Sequence, residues 1–130
     1  DYWISKLIEL GIKLISLSDT IGSATPNKIN VVYEYFSMKY PNVEFGLHLH
    51  SHPQFWREKV ETSIDSGCLR IDGAIQGFGG CPMASDNMIG NMPTEKIITF
   101  CEEKGIESGI NPLKFEVAYN YASDIFLNYK

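Results

Sequence analysis

The chain has 130 residues, of which 44% are hydrophobic and 21% are charged, and its net charge is −5 at pH 7. This composition is typical of a single globular domain with a sizeable core. The negative charge and the lack of a basic stripe argue against a nucleic-acid partner. No apolar stretch approaches the roughly 18–20 residues of a membrane-spanning helix, so the sequence also predicts no membrane partner.

The cysteines are Cys68, Cys81 and Cys101. An odd number at scattered spacings does not make a disulfide framework and indicates a reducing compartment. We expect the cytoplasm, or the mitochondrial matrix if the source is eukaryotic. The chain opens at Asp1, without a methionine and inside a predicted helix. We therefore expect the C-terminal part of a longer protein, in which a targeting segment is not readable.

Local signals predict the first elements in chain order. Helical spacing of apolar residues predicts a helix over 1–10, and Gly11 follows where a helix commonly ends. A β-branched apolar run predicts a strand over 12–17, typical of a strand buried on both faces. Thr25, followed by proline, predicts the start of a helix that ends near 40–41, where proline follows tyrosine.

The same alternation continues through the rest of the chain. The remaining predicted elements are a strand over 43–50, a helix from Pro53 to Gly67, a strand over 68–72, a glycine loop over 77–82, a helix from 93 to 105 and a last helix from Asn111. Three successive strand–helix units predict a parallel sheet.

Two architectures fit three such units: a doubly wound sheet and part of a (β/α)₈ TIM barrel. The first strand–helix turn lacks the G-x-G-x-x-G phosphate fingerprint. The candidate catalytic and metal-binding residues follow the ends of strands, as active-site residues do in barrels. The barrel is therefore favoured. A complete barrel takes roughly 250 residues, so 1–130 is predicted to be a single partial domain whose N-terminal half is missing.

Two histidines mark the end of the second predicted strand. Because side chains alternate along a strand, His48 and His50 point to the same face. Burying both without a metal or an acidic partner is costly, which favours a metal site. Two imidazoles with oxygen ligands suit Mg²⁺ or Mn²⁺, and zinc is left open. His52 lies beside Pro53 and is interpreted as a loop or helix-cap residue.

Cys81 is the most reactive candidate among the other residues, because it lies between Gly80 and Pro82 in a loop that glycine allows to approach a ligand closely. Cys68 and Cys101 are interpreted as buried and structural. Asp19 follows the first strand and is equally compatible with a ligand, an acid/base or a capping role. Asn91 fits either a turn or a metal ligand.

Four motifs in this order resemble the C-terminal part of hydroxymethylglutaryl-CoA lyase, a DRE-TIM metallolyase. They are Ser-Asp-Thr-Ile-Gly at 18–22, His-Leu-His at 48–50, Gly-Phe-Gly-Gly-Cys-Pro-Met-Ala at 77–84 and Gly-Asn-Met-Pro-Thr-Glu at 90–95. The resemblance covers essentially the whole chain and implies barrel strands six, seven and eight. Related isopropylmalate-synthase-like enzymes share the histidine pair but not the cysteine loop.

The resemblance implies cleavage of 3-hydroxy-3-methylglutaryl-CoA, an acyl-CoA substrate, to acetoacetate and acetyl-CoA. His48, His50 and Asn91 would hold a divalent cation. Cys81 and Asp19 would be the catalytic residues, and Thr20, Gly79 and Gly80 would belong to the loops around the substrate. The family's Arg-Asp pair after its first strand has no counterpart here, so the fragment alone is expected to be inactive. A homodimer is left open.

Three alternatives stay open at this point. The first is a related acyltransferase or aldolase of the isopropylmalate synthase type. The second is a metallohydrolase of the amidohydrolase kind, which also uses a strand-end His-x-His but normally needs later histidines. None follows His52. The third is a non-catalytic half-barrel that pairs with another chain.

Overall fold

A computed structural model describes residues 1–80 and 89–128. Helices and strands alternate along it. In chain order they are α1 (Tyr2–Glu9), β1 (Leu14–Asp19), α2 (Pro26–Lys39), β2 (Glu44–Ser51), α3 (Trp56–Asp65), β3 (Ile71–Asp72), a 3₁₀ turn at Ile75–Gly77, β4 (Gly90–Asn91), α4 (Thr94–Lys104) and α5 (Pro112–Leu127). The three predicted strand–helix units are confirmed.

The sheet is centred on β2, which has neighbours on both sides. β1 and β3 pair with it in parallel, with Leu47 opposite both Leu17 and Ile71. The short strand β4 was not predicted, and it pairs with the end of β2 in antiparallel fashion. Because parallel strands end at the same edge of a sheet, the residues that follow β1, β2 and β3 are brought together there.

The core lies between one face of the sheet and the helices. Phe45, Leu47 and Leu49 of β2 are only 2–3% exposed, because alternate residues of a strand share a face. They belong to one cluster with Tyr33 of α2 and Val60 of α3. The opposite face of β2 is thereby left to its even-numbered residues, which include both histidines.

The expectation that the first strand is buried on both faces is wrong. β1 begins two residues later than predicted, and only Ile15 within it is buried. Among the described residues β1 pairs with β2 alone. Its second face carries Ser16 and Ser18 together with Leu14, which is 57% exposed.

Two other boundaries differ from the prediction for local reasons. α3 begins at Trp56 rather than at Pro53, because His52 starts a turn in which its carbonyl accepts from the Phe55 amide at 3.0 Å. The third strand is reduced to two residues. The Cys68 amide donates to the Ser63 carbonyl at 3.0 Å and so completes the end of α3 instead of joining the sheet.

The predicted helix ends are otherwise confirmed by their capping contacts. The Thr25 and Asn111 side chains accept from the amides of Lys28 and Lys114, with a proline at the first helical position in each case. Gly105 ends α4 in the left-handed conformation, as glycine commonly does. Across the two described segments, no helix combines the length and apolarity needed to cross a membrane.

Candidate metal and active site

The predicted histidine pair lies where the strand alternation places it, on the face of β2 away from the core. The ring centroids of His48 and His50 are 5.3 Å apart. His50 is 6% exposed, whereas His48 is accessible. The two imidazoles are therefore neighbours at the end of β2, one buried and one open to the solvent side.

His50 is the buried member of the histidine pair. Its Nδ1 atom is buried, and no residue of the described segments gives that atom a hydrogen-bond partner. Burial lowers the pKa of His50 from its ordinary value, and the nearby charge of His48 lowers this pKa further. Because the neutral imidazole is the form that binds a metal, the buried ring is prepared to donate a lone pair.

Asn91 is brought beside the histidines by β4, since it is the direct partner of His50 in the antiparallel ladder. Side chains of directly opposed residues lie on the same face of a sheet. The Asn91 Nδ2 atom donates to the Phe78 carbonyl at 2.9 Å. A carbonyl can only accept, so this bond orients the amide and turns the Asn91 Oδ1 atom toward His50, with which the Asn91 side chain is hydrogen bonded.

His48 is flanked by an acidic residue that the sequence reasoning did not single out. Its Nδ1 atom lies 3.6 Å from Asp72 Oδ2, and Asp72 pairs with His48 in the register of β2 and β3. The Ser16 hydroxyl donates to the same Asp72 oxygen at 3.0 Å. At 3.6 Å this contact is longer than a hydrogen bond, so Asp72 adds a negative charge beside His48 without fixing which ring nitrogen carries the proton.

Asp19 ends β1 and is held by several donors. Its Oδ1 atom accepts from the Ser23 amide at 2.9 Å, and its Oδ2 atom accepts from the Ala24 amide at 3.0 Å. The Lys59 ammonium lies 2.9 Å from Oδ2, and both side chains are at most 8% exposed. The capping role considered for Asp19 is therefore present, together with a buried ion pair.

Lys59 is the residue of this region that sequence reasoning missed. It lies in α3 between Trp56 and Ser63, on the spacing that forms the buried stripe of that helix. A lysine at a position where the 3.6-residue period requires an apolar side chain was the available signal. Such a residue needs a buried partner, because an unpaired charge is costly there.

The stem of the glycine loop packs against β4. Gly80 forms a bridge with Gly90, and the Gly79 carbonyl accepts from the Asn91 amide at 3.3 Å. Through Asn91 this stem is next to His50. Cys81, which follows the stem, lies outside the described residues, so its predicted role stays a prediction. Thr20 lies in the loop after β1, with its hydroxyl 3.3 Å from that of Ser18.

The remaining predicted residues take the structural places expected of them. The His52 Nδ1 atom accepts from the Gln54 amide at 3.2 Å, which confirms its place in a capping turn rather than in the pair. Cys68 and Cys101 are free thiols that are 2% and 7% exposed. Burial raises the pKa of both, which is characteristic of structural cysteines.

The donors at the end of β2 fit a divalent cation. They comprise two imidazoles, one with an unpartnered buried nitrogen, and an oriented amide oxygen. No group of three or more His, Cys, Asp or Glu side chains is placed to hold a metal within 1–80 and 89–128. The chain thus offers an incomplete set, in which Asn91 supplies the third donor and further positions are open to a substrate or other residues.

Comparison with known proteins identifies the family. The HMGL-like family model matches residues 3–120. The chain belongs to the HMGL-like family. This membership decides against the amidohydrolase alternative. Hydroxymethylglutaryl-CoA lyase YngG of Bacillus subtilis is 34% identical over 104 residues, which is 80% of this chain and 34% of that protein.

Solved structures confirm that the HMGL-like fold of this chain is part of a TIM barrel. The Bacillus subtilis HMG-CoA lyase superposes with a TM-score of 0.83 at 30% identity over 95% of this chain and 41% of that one. The Acinetobacter baumannii HMG-CoA lyase, solved with coenzyme A and 3-methylmalate, gives 0.74 at 30% identity over 85% and 36%. The chain spans about a third of the length of the curated relatives it matches.

Proposed function

We propose that a barrel containing this chain cleaves 3-hydroxy-3-methylglutaryl-CoA to acetoacetate and acetyl-CoA, with Mg²⁺ or Mn²⁺ held by His48, His50 and Asn91. The observation that carries the proposal is the convergence of these three donors at the end of β2 in an HMGL-like chain. A relative solved with coenzyme A supports an acyl-CoA as the substrate class.

Each proposed ligand has its own reason to bind. His50 is kept neutral by burial, and the orientation of Asn91 is set by its bond to Phe78. His48 lies beside the Asp72 carboxylate, a negative charge that favours a cation nearby. When bound, the cation supplies Lewis-acid chemistry that lowers the pKa of the substrate hydroxyl.

The reaction itself involves two proton transfers and breaks one carbon–carbon bond. The tertiary hydroxyl loses its proton and becomes the ketone of acetoacetate as the neighbouring carbon–carbon bond breaks. The electron pair of that bond stays on the departing acetyl-CoA carbon, which takes up a proton and becomes a methyl group. The Cys81 thiol is proposed as the group that handles this second proton. Thr20, Gly79 and Gly80 are proposed to line the substrate side of the loops.

Asp19 is proposed to act through the charge and position of its carboxylate. It already accepts two amide hydrogens and faces the Lys59 ammonium. A carboxylate in that state stabilises the strand ends and contributes negative charge near the proposed cation. This role needs no proton transfer by Asp19.

A Mn²⁺ titration of the chain with matched histidine variants tests the cation site. We expect His50→Ala and His48→Ala each to weaken Mn²⁺ binding by at least about 10-fold. Loss of a residue that only supports a metal ligand already costs about 10- to 100-fold, so loss of a ligand itself should cost at least the lower value. His52→Ala is the control, because His52 lies two residues from His50 but caps a turn. Equal losses in all three variants, or no binding by the unsubstituted chain, would refute the site.

Acetoacetate release tests the reaction. We expect the 130-residue chain alone to release none in the presence of Mg²⁺ and 3-hydroxy-3-methylglutaryl-CoA, since related lyases are more than twice as long. The complete product of the gene should release it, and Cys81→Ala should abolish most of that activity. Activity of the isolated chain would show that the rest of a barrel is not required.

A further inference from the structure

The buried Lys59 ammonium joins three separate segments around the candidate site. It donates to Asp19 Oδ2 at 2.9 Å, to the Gly22 carbonyl at 2.9 Å and to the His50 carbonyl at 2.8 Å. An ammonium has three donors, so all of them are used. Lys59 therefore connects α3 with the end of β1, the following loop and the end of β2.

These contacts satisfy the buried ammonium of Lys59 completely. Charged hydrogen bonds in a dry environment are short and directional, and the Lys59 side chain is only 5% exposed. Its acceptor on β2 is the backbone of His50 itself. A change at Lys59 therefore acts directly on the backbone of the residue that carries the buried imidazole.

We propose that Lys59 is a positioning residue that holds His50 in the orientation required for cation binding and keeps Asp19 engaged in a structural ion pair. The cation part of this inference depends on the proposed function, whereas the positioning of His50 does not. Asp19 is then the partner that neutralises Lys59. With three donors already on its two oxygens, it serves the architecture of the strand ends.

Two variants separate positioning from simple stabilisation. Lys59→Met leaves Asp19 buried without its cation, and removing one partner of a buried pair is strongly destabilising. The double variant Lys59→Met with Asp19→Asn removes both charges and should recover part of the lost thermal midpoint, although an amide at position 19 can accept only one of the two backbone hydrogens. It does not restore the bond to the His50 carbonyl. Lys104→Met is the control, because Lys104 forms an exposed ion pair with Glu61.

The decisive measurement is the nuclear Overhauser effect between the His48 and His50 rings in the metal-free chain. The centroids of these two rings are 5.3 Å apart. We expect this effect to be present in the unsubstituted chain and in Lys104→Met, and weakened in the double variant although that variant regains part of its thermal midpoint. An unchanged effect in the double variant would overturn the inference. If Lys59→Met does not fold, the double variant alone decides.

A Mn²⁺ titration of the same proteins separates this inference from the proposed function. We expect the double variant to bind Mn²⁺ about 10-fold or more weakly than the unsubstituted chain, the range known for loss of a supporting residue. If the unsubstituted chain does not bind Mn²⁺, the proposed function fails. The nuclear Overhauser effect between the His48 and His50 rings would still test the positioning role of Lys59. Normal Mn²⁺ affinity in the double variant would contradict positioning.

Discussion

Replacing Gly77 by alanine tests how tightly the glycine stem is built against Asn91. Gly77 has a φ of +62°, and a Cβ atom there would lie 2.8 Å from the Asn91 carbonyl oxygen and 3.2 Å from Pro93 Cγ. The left-handed conformation costs a non-glycine residue about 1–2 kcal/mol. Overpacking against a backbone atom adds about 1–3 kcal/mol. The expected loss of unfolding free energy is therefore about 2–5 kcal/mol.

Gly109→Ala is the matched control for this substitution. Gly109 has a similar φ of +71°, but nothing lies within 4 Å of a Cβ built on it. The Gly109→Ala variant should lose only the unfolding free energy that the left-handed conformation costs alanine, about 1–2 kcal/mol. Alanine restricts the unfolded chain equally in both variants, so the difference between them isolates the contact with Asn91.

Urea unfolding at equilibrium measures both variants on one scale. A domain of this kind has an unfolding free energy of about 5–15 kcal/mol, so each variant should stay folded in water. The dependence of the unfolding free energy on urea concentration should be the same in both variants and in the unsubstituted chain. Gly77→Ala should also weaken Mn²⁺ binding, since the clash displaces β4 from the end of β2. Equal stability losses at positions 77 and 109 would refute the reasoning.

Further outcomes follow from burial and charge. In the folded chain at pH 8, Cys68 and Cys101 should resist alkylation, because burial raises the pKa of both thiols; mass mapping of the labelled peptides checks this. Burial lowers the pKa of His50 in the folded chain, so the unfolded state binds more protons than the folded state as the pH falls below about 6.5. Urea unfolding should accordingly show stability falling from pH 7 to pH 5, with less of a fall in His50→Asn. Lys104→Met should cost less than about 1 kcal/mol by the same assay, because its pair with Glu61 is exposed.

Elements with strong local chemistry could be predicted from the sequence. The start of α2 followed from Thr25 before a proline, and the start of α5 from Asn111 before a proline, since the side chain of each satisfies an amide of its own helix. The histidine pair followed from the period of a strand. Each of these depends on residues close together in the chain, which is why no tertiary information was needed.

Features that depend on tertiary pairing could not be predicted in this way. β4 is two residues long, and its Gly-Asn sequence favours a turn over a strand. Only its pairing with His50 and Ser51 makes it a strand. The sequence favoured either a turn or a ligand for Asn91, and it could not bring the amide of Asn91 to the Phe78 carbonyl. The formation of β4 and the orientation of the Asn91 amide both depend on contacts between residues far apart in the sequence.

Lys59 illustrates a different gap between sequence and structure. Its position on the buried stripe of α3 was visible, but the acceptors that make a buried lysine tolerable come from β1, its following loop and β2. No local pattern connects residues 40 positions apart. The equal weight of three roles for Asp19 had the same origin, because its partner could not be identified.

The alternation of β2 makes the core and the candidate site depend on each other. A slip of one residue would move Phe45, Leu47 and Leu49 out of the core and turn both histidines into it. Losing the burial of three such side chains costs about 5–9 kcal/mol, comparable with the whole stability of a domain. Hydrophobic packing therefore strongly favours the register that places the imidazoles. A cation is not needed to bring His48 and His50 together, so the metal-free chain should already present both rings side by side.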